Sequence, residues 1–290
     1  EQTASIMVAF EKYLMLYPTD LVMVVGDVTS TMACSIVAKK MCIPLAHVEA
    51  GIRSFDMTMP EEVNRIVTDS LTDYYFITSE FAKENLKQSG VADEKVFFVG
   101  NVMIDSLLAN QSRLRKPEEF DNLGLKENEY IVLTLHRPNN VDDSDSLLEM
   151  LRTINDNVGN MPVIFPIHPR TRQKLEGTNC NFPNIRFVSP LGYLEFIYLV
   201  KHSLAVITDS GGITEETTIM HIPCLTLRDN TERPETCSVG TNELIGTNPQ
   251  NLVPALKKLF AGKWKKGGIP ELWDGQTAKR IVNVIVGLQK

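Results

Sequence analysis

Residues 203–220 have the sequence SLAVITDSGGITEETTIM, and this stretch decides the fold class. Its first part, Ser203–Thr208, is apolar on both faces, which is typical of a strand buried inside a parallel sheet. Two glycines follow Asp209-Ser210, and glycine lets the backbone approach a ligand closely. A helical pattern starts near Thr214, so its free N–H groups and positive dipole end are offered to an anion. The stretch predicts a strand–turn–helix unit with a ligand site at the turn, although such a turn is often only a tight connection.

The same alternation of short apolar runs and helical patterns extends along the whole chain. The predicted strands are Leu21–Val25, Pro44–Val48, Tyr74–Thr78, Lys95–Val99, Tyr130–Leu135, Pro162–Ile167, Ile185–Ser189, Ser203–Thr208 and Pro223–Leu227. This alternation predicts an α/β protein with parallel sheets. A polar, charge-rich stretch at 111–126 interrupts the pattern and is typical of a linker. We therefore expect two Rossmann-like domains, 1–115 and 116–276, with a helix at 277–290 that packs back on the first.

Most predicted strands run into a polar residue at the carboxyl end. These residues are Asp27, Glu49, His136 with Arg137, His168, Asp209 with Ser210, and Arg228 with Asp229. Ligands of open parallel sheets bind outside the carboxyl ends of the strands. The pattern predicts one functional rim on each domain, and a shared cleft if the rims face each other. Taken singly, each residue has a simpler interpretation: a helix cap for Asp27, a solvated turn for Glu49, an inert loop histidine for His168.

Two acidic groups at helix starts have structural as well as functional interpretations. Glu215-Glu216 lies on the first turn of its helix, where acids interact favourably with the dipole; acids also recognise ribose hydroxyls in nucleotide sites. Glu61 and Arg65 are four residues apart behind Pro60, and this spacing alone favours a surface ion pair.

Composition excludes several classes of protein. The formal net charge of −7 disfavours a general nucleic-acid role. The five cysteines form no CxxC pair, which indicates neither a zinc site nor a disulfide framework. No apolar run approaches the length of a membrane span, and no signal peptide is evident. We expect a cytoplasmic protein with no metal and no membrane or nucleic-acid partner.

Seven motifs in order resemble the non-hydrolysing UDP-N-acetylglucosamine 2-epimerases. They are Val25–Thr31 (VGDVTST), His47–Arg53 (HVEAGIR), Pro60–Arg65 (PEEVNR), Leu135–Pro138 (LHRP), Pro166–Pro169 (PIHP), Thr208–Glu216 (TDSGGITEE) and Leu227–Pro234 (LRDNTERP). The resemblance covers nearly the whole chain. It implies two Rossmann-like domains facing a cleft, as in GT-B glycosyltransferases, with UDP bound mainly to the second.

The resemblance also implies a reaction and no cofactor. Elimination of UDP leaves a 2-acetamidoglucal, and re-addition inverts C2 to convert UDP-N-acetylglucosamine to UDP-N-acetylmannosamine. The absence of a complete GxGxxG agrees with the absence of a redox cofactor. The family further suggests a homodimer and, in some bacterial members, a second, activating UDP-sugar.

The residues implied by the resemblance fall into three sets. The catalytic set is Asp27, Glu49, Glu61 and His136. The UDP- or substrate-binding set is Arg65, Ser210, Gly211, Gly212, Glu216 and Arg233. The set near the activating UDP-sugar is Arg137 and His168.

The chain departs from the family pattern in two places. No Gly-Thr-Arg-Pro-Glu turn occurs, so we expect the first domain to lack its opening strand–helix units. Pro138-Asn139-Asn140 stands where many members have Arg-Glu-Asn. Three alternatives remain open: a 2-epimerase of a modified substrate such as a UDP-diacetamido-uronic acid, a GT-B glycosyltransferase, and a nucleotide-sugar-binding module.

Overall fold

The computed structural model describes residues 1–136, 144–167, 171–172, 175 and 181–288. In chain order the helices and strands are α1 (Gln2–Leu16), β1 (Val22–Val25), α2 (Thr29–Lys40), β2 (Leu45–Val48), α3 (Pro60–Leu71), β3 (Tyr74–Ile77), α4 (Glu80–Gln88), β4 (Val96–Phe98), α5 (Val102–Asn110), α6 (Glu118–Asn122), β5 (Ile131–Thr134), α7 (Ser144–Asn157), β6 (Val163–Pro166), β7 (Ile185–Val188), α8 (Tyr193–Lys201), β8 (Ala205–Thr208), α9 (Ile213–Ile219), β9 (Cys224–Thr226), α10 (Pro234–Ser238), β10 (Asn242–Leu244), α11 (Leu252–Phe260) and α12 (Thr277–Leu288).

The chain divides into two compact units, 1–105 with 271–290, and 106–270. The sequence placed these boundaries ten and six residues later. Phe120, in the supposed linker, is buried and packs edge-on against Tyr130 and Tyr198 of the second unit, at ring distances of 5.9 and 5.8 Å. Trp273 is buried in the first unit, where its indole N–H donates to the Thr78 carbonyl (3.1 Å). Aromatic burial thus decides where each connecting segment belongs.

The first unit contains a parallel sheet in the order β1-β2-β3-β4. One apolar cluster joins Leu14 of α1 to Val24, Val37 and Leu45, and it covers β1 and β2. A second cluster surrounds Phe76 and includes Ile281 of α12, so the last helix packs on this sheet. Each strand follows its sequence neighbour, so the ends of all four strands lie in chain order along one edge.

The second unit contains a parallel sheet in the order β10-β9-β8-β5-β6-β7. An apolar cluster of this unit includes Ile131, Leu151, Phe165 and Ile207. The chain reaches β6 and β7 on one side of β5 and β8, β9 and β10 on the other. The strand order therefore reverses between β5 and β8, and such a switch point opens a crevice at the carboxyl ends of the strands.

The two parallel sheets with covering helices confirm the α/β fold class predicted from the sequence. The apolar pattern of the sequence did not predict β10, a three-residue edge strand with the sequence NEL. It is too short and too polar to give an apolar run. No helix within the described ranges is long and apolar enough to span a membrane.

Candidate active site

Asp27 and Glu49 follow neighbouring strands of the first unit. The amide of Gly26 donates to the carbonyl of Val48 (3.0 Å), which places the two acids beside each other at the end of β1 and β2. Glu49 has a φ of +70°, and its amide donates to the Phe76 carbonyl (3.0 Å). Left-handed backbone is strained for residues other than glycine and tends to occur at functional sites. Glu49 is therefore half-buried in a strained turn, and its predicted catalytic role remains a prediction.

Helix α3 presents a polar face to the protein interior. Its buried residues are Glu62, Asn64, Arg65, Thr68 and Asp69, whereas Val63 and Ile66 are more than a third exposed. A surface helix normally buries its apolar stripe. Buried charges are costly unless they are paired. The inner face of α3 is therefore organised around a set of ion pairs and hydrogen bonds.

Arg65 of α3 holds Asp27. Its Nε and Nη2 lie 2.9 and 2.5 Å from Oδ2 of Asp27, and Asn64 Nδ2 donates to the Asp27 carbonyl (2.8 Å). Helix α2 has Val28 at its N-cap, without a side-chain cap, so the helix-cap interpretation of Asp27 is wrong. The surface-pair interpretation of Arg65 is also wrong, since Arg65 is only 6% exposed.

The adjacent acids Glu61 and Glu62 have different surroundings. Glu62 is buried; it accepts hydrogen bonds from Ser54 N (2.9 Å) and Phe55 N (3.1 Å), and it pairs with Arg65 (2.9 Å). It therefore fixes the loop between β2 and α3. Glu61 is exposed on the first turn of α3, where a ligand has access to it. Its predicted catalytic role remains a prediction.

In the second unit, His136 and Asp209 meet at the switch point between β5 and β8. His136 Nδ1 lies 2.7 Å from Oδ1 of Asp209, and the His136 amide donates to both carboxylate oxygens (3.1 and 3.0 Å). The Asp209 side chain is fully buried, whereas that of His136 is 61% exposed. A buried carboxylate that takes the Nδ1–H of a histidine fixes the ring orientation and leaves Nε2 for a substrate.

The turn Ser210–Gly212 follows Asp209 and leads into α9. Ser210 N donates to the Thr208 hydroxyl (2.9 Å), and the Thr214 hydroxyl donates to the Gly211 carbonyl (2.6 Å). A Cβ at Gly211 would lie 3.5 Å from Nη1 of Arg228. Arg228 forms a buried, two-point pair with Glu232 (2.7 and 2.8 Å). The glycine turn therefore packs against the buried Arg228–Glu232 ion pair.

Glu216 of α9 is 6% exposed and accepts a hydrogen bond from the Tyr193 hydroxyl (2.8 Å). Burial raises the pKa of Glu216 to about 7, although the Tyr193 hydrogen bond acts in the opposite direction. Burial and the nearby Glu216 raise the pKa of Tyr193. Glu216 thus titrates near neutral pH, a property that clusters at functional sites.

Residues 1–286 match the family model of UDP-N-acetylglucosamine 2-epimerase. The chain belongs to this epimerase family. The enzyme of that name from Methanocaldococcus jannaschii is 40% identical over 98% of this chain and 80% of its own length. A Pseudomonas aeruginosa UDP-2,3-diacetamido-2,3-dideoxy-D-glucuronate 2-epimerase is 36% identical over 99% and 80%, respectively.

Solved structures of epimerases in the family have the same fold. The M. jannaschii enzyme, in complex with UDP-GlcNAc and UDP, gives a TM-score of 0.86 at 39% identity, over 99% of this chain and 81% of that chain. The Neisseria meningitidis enzyme bound to UDP-GlcNAc gives 0.88 at 30% identity, over 98% and 81%. A lipopolysaccharide galactosyltransferase gives 0.57 at 14% identity over 98% and 80%, which is a likeness of fold alone. The fold class is that of the GT-B proteins, as predicted.

Arg233, which the epimerase resemblance places in the binding set, has a partner that the sequence did not reveal. Arg233 forms an ion pair with Glu215, and both side chains are largely buried. Glu215 therefore has a structural partner beyond the helix dipole. Arg137 and His168, predicted near an activating UDP-sugar, lie outside the described residues.

The structure adds side-chain partnerships that the sequence did not reveal. Asp209 orients His136, and Tyr193 donates a hydrogen bond to Glu216. In the first unit, His47 and Asp69 form a buried pair, with 2.7 Å between Nδ1 of His47 and Oδ1 of Asp69. No spacing rule links these partners, because each pair is made by tertiary packing. Only the strand-end position of Asp209 was a signal in the sequence.

Proposed function

We propose that the chain inverts C2 of UDP-N-acetylglucosamine to give UDP-N-acetylmannosamine, without a redox cofactor. The observation that carries the proposal is the 40% identity to an enzyme of that name over 98% of the chain. The site chemistry supports it. In the first unit, Asp27 and Glu49 follow neighbouring strands and Glu61 lies on the first turn of α3, and the second unit holds an oriented histidine beside a glycine turn.

The reaction has two balanced halves. In the first, a base takes the C2 proton while the C1–O bond breaks, releasing UDP and leaving a 2-acetamidoglucal. In the second, a proton is delivered to the opposite face of C2 and the UDP oxygen attacks C1. The C2 proton is weakly acidic, so the base has to be held close to it in a defined geometry.

The first unit supplies the proton carriers. We assign Asp27, Glu49 and Glu61 to the transfer of the C2 proton. Arg65 holds Asp27 in place through an ion pair and therefore affects the substrate indirectly, through the position of this acid. Glu49 is fixed by its strained turn, and Glu61 is exposed to incoming ligand. Several carboxylates near one carbon allow separate groups to act on the two faces of C2.

The second unit binds and releases UDP. We assign the turn Ser210, Gly211 and Gly212 to the phosphates and Glu216 to the ribose hydroxyls. His136, oriented by Asp209, stabilises the negative charge that develops on departing UDP, as preorganised donors do. Arg233 contributes through its ion pair with Glu215, which holds the segment before α10 against the start of α9.

Turnover in deuterated water tests the mechanism. The abstracted proton exchanges with solvent before re-addition, so the product should carry deuterium at C2, as seen by NMR or mass spectrometry. Added nicotinamide cofactor should have no effect on the rate. Retention of the substrate hydrogen at C2, or a requirement for a nicotinamide, would refute the proposal in favour of hydride transfer.

A second substrate is favoured by one observation, the 36% identical P. aeruginosa relative that acts on a diacetamido-glucuronate. The same two half-reactions apply to that sugar, which differs at C3 and C6. Comparison of kcat/KM for the two UDP-sugars decides between them. We expect UDP-N-acetylglucosamine to be preferred; preference for the uronate would assign the chain to the second activity.

We further propose that the enzyme is a cytoplasmic homodimer and that a second UDP-sugar activates it near Arg137 and His168. Light scattering of the full-length protein measures the oligomeric state. Sigmoidal dependence of the rate on UDP-N-acetylglucosamine concentration, abolished by Arg137→Ala, would support activation. A hyperbolic dependence in both the wild type and Arg137→Ala would refute activation by a second UDP-sugar.

A further inference from the structure

His47 is a fully buried histidine that bridges two elements of the first unit. It lies in β2, two residues before Glu49. Its Nδ1 is 2.7 Å from Oδ1 of Asp69 on α3, and its Nε2 is 2.9 Å from the carbonyl oxygen of Gly26 at the end of β1. The relative exposure of the His47 residue is zero. Gly26 immediately precedes Asp27.

The two contacts specify the protonation state of the ring. A backbone carbonyl oxygen only accepts hydrogen bonds, and an ionised carboxylate also only accepts. Each of the two contacts is therefore satisfied only when the ring nitrogen that makes it carries hydrogen. A neutral ring would set a nitrogen lone pair against an oxygen on one side, and an unmet polar contact in a buried site is costly.

The surroundings of Asp69 stabilise its ionised form. Besides His47, it accepts hydrogen bonds from Arg53 Nη1 (2.6 Å) and from the amide of Gly51 (3.1 Å). Burial alone would raise the pKa of Asp69, but the hydrogen bond and charge of His47 and the charge of Arg53 outweigh burial and lower it. The carboxylate is therefore charged and takes hydrogen bonds on both oxygens.

These hydrogen bonds hold the backbone next to the two proposed proton carriers, Asp27 and Glu49. Asp69 anchors Gly51, two residues after Glu49, and His47 anchors Gly26, one residue before Asp27. Gly26 and Gly51 both have positive φ, +66° and +77°, so neither turn is fixed by ordinary strand geometry. The position of each acid depends on the hydrogen bonds that its turn makes.

We propose that His47 is a positioning residue for catalysis, an imidazolium bridge from Asp69 to the Gly26 carbonyl that fixes Asp27 at the reacting carbon. The inference rests on the proposed function, since Asp27 is assigned there to proton transfer. His47 itself does not touch substrate, because it is fully buried. It acts through the Nε2 hydrogen bond, and the Nδ1 hydrogen bond to Asp69 keeps the ring in place.

Two neutral substitutions in the full-length protein separate the two hydrogen bonds. The amide nitrogen of His47→Gln reaches about as far as Nε2 and preserves the bond to Gly26, whereas that of His47→Asn takes the place of Nδ1 and preserves only the bond to Asp69. Both remove the buried positive charge, so each is the control for the other. We expect kcat to fall on the order of 10²-fold in His47→Asn and less than about 10-fold in His47→Gln, with KM little changed in either.

Two measurements separate the positioning role of His47 from effects on folding and from the proposed function. Thermal unfolding reports the stability of both variants, and kcat is compared in the folded fraction. NMR of the wild-type protein should show both His47 ring nitrogens protonated, and the Asp27 amide signal should shift in His47→Asn but not in His47→Gln.

The two failures are distinguishable. A wild-type protein that does not convert UDP-N-acetylglucosamine refutes the proposed function, and the NMR signals still decide whether the bridge exists. A converting wild type in which His47→Asn is as active as His47→Gln, or in which one ring nitrogen carries no hydrogen, overturns the positioning role.

Discussion

Two nitrogens of Arg65 donate hydrogen bonds to the same carboxylate oxygen of Asp27. Nε and Nη2 lie 2.9 and 2.5 Å from Oδ2. Within the described part of the chain, the other carboxylate oxygen of Asp27 makes no hydrogen bond, and the side chain is 31% exposed. One oxygen is therefore fixed, and the other is the one that the proposed mechanism assigns to the substrate proton.

Arg65→Lys should lower kcat by about 10²-fold while UDP affinity stays nearly the same. Lysine keeps the charge but lacks the planar fork that holds Oδ2 and also reaches Glu62. Steady-state kinetics and calorimetric UDP titration measure the two effects. Arg280→Lys, at a partly exposed pair with Asp274 away from the proposed site, is the matched control and should leave both unchanged. A large loss of UDP affinity in Arg65→Lys would instead indicate that Arg65 binds the nucleotide directly.

The amide variants Asp27→Asn, Glu49→Gln and Glu61→Gln should each lower kcat by about 10²-fold or more. An amide keeps the shape of the side chain but removes the oxygen that takes or gives a proton. UDP binding should change far less, because these acids lie in the first unit. Glu80→Gln, at an exposed acid on the first turn of α4, is the control and should be fully active. A variant with wild-type kcat would remove that acid from the proton-transfer set.

The sequence predicted the strands and the acids that follow them, but not the partners of those acids. Apolar runs mark buried parallel strands, and a parallel sheet brings strand ends to one edge, so the placement of Asp27 and His136 followed from local pattern. The contact of His136 with Asp209 spans 73 residues, and that of His47 with Asp69 spans 22. Such contacts depend on how helices pack on the sheet, which no short spacing encodes.

Glu216→Gln should make the protein less sensitive to rising pH. The folded-state pKa of about 7 lies above the ordinary 4.5, so the neutral carboxyl stabilises the fold fully below pH 4.5. That stability is lost as pH rises through 7, because the unfolded chain ionises freely and the buried group does not. Relative to Glu216→Gln, the wild type should lose up to about 3 kcal/mol of unfolding free energy between pH 4.5 and 8.

Urea unfolding of the two proteins at several pH values measures this difference. Tyr193→Phe provides an internal control, since it removes the hydrogen bond that lowers the pKa of Glu216. The loss in Tyr193→Phe should therefore extend to higher pH than in the wild type. Parallel stability curves for wild type and Glu216→Gln would show that Glu216 is not neutral in the folded protein below pH 7.

Gly51→Ala and Gly26→Ala should differ in stability although both glycines have positive φ. A Cβ at Gly26 meets nothing within 4 Å, so alanine there costs only the left-handed backbone, about 1–2 kcal/mol. A Cβ at Gly51 would lie 2.4 Å from the carbonyl oxygen of Ala82 in α4, and a backbone atom cannot yield without moving the helix. Gly51→Ala should therefore cost about 1–3 kcal/mol more, and it should also displace Glu49 and lower kcat in the folded fraction. Chemical unfolding and steady-state kinetics of the pair test this; equal stabilities would mean that the turn after Glu49 moves away from α4 at little cost.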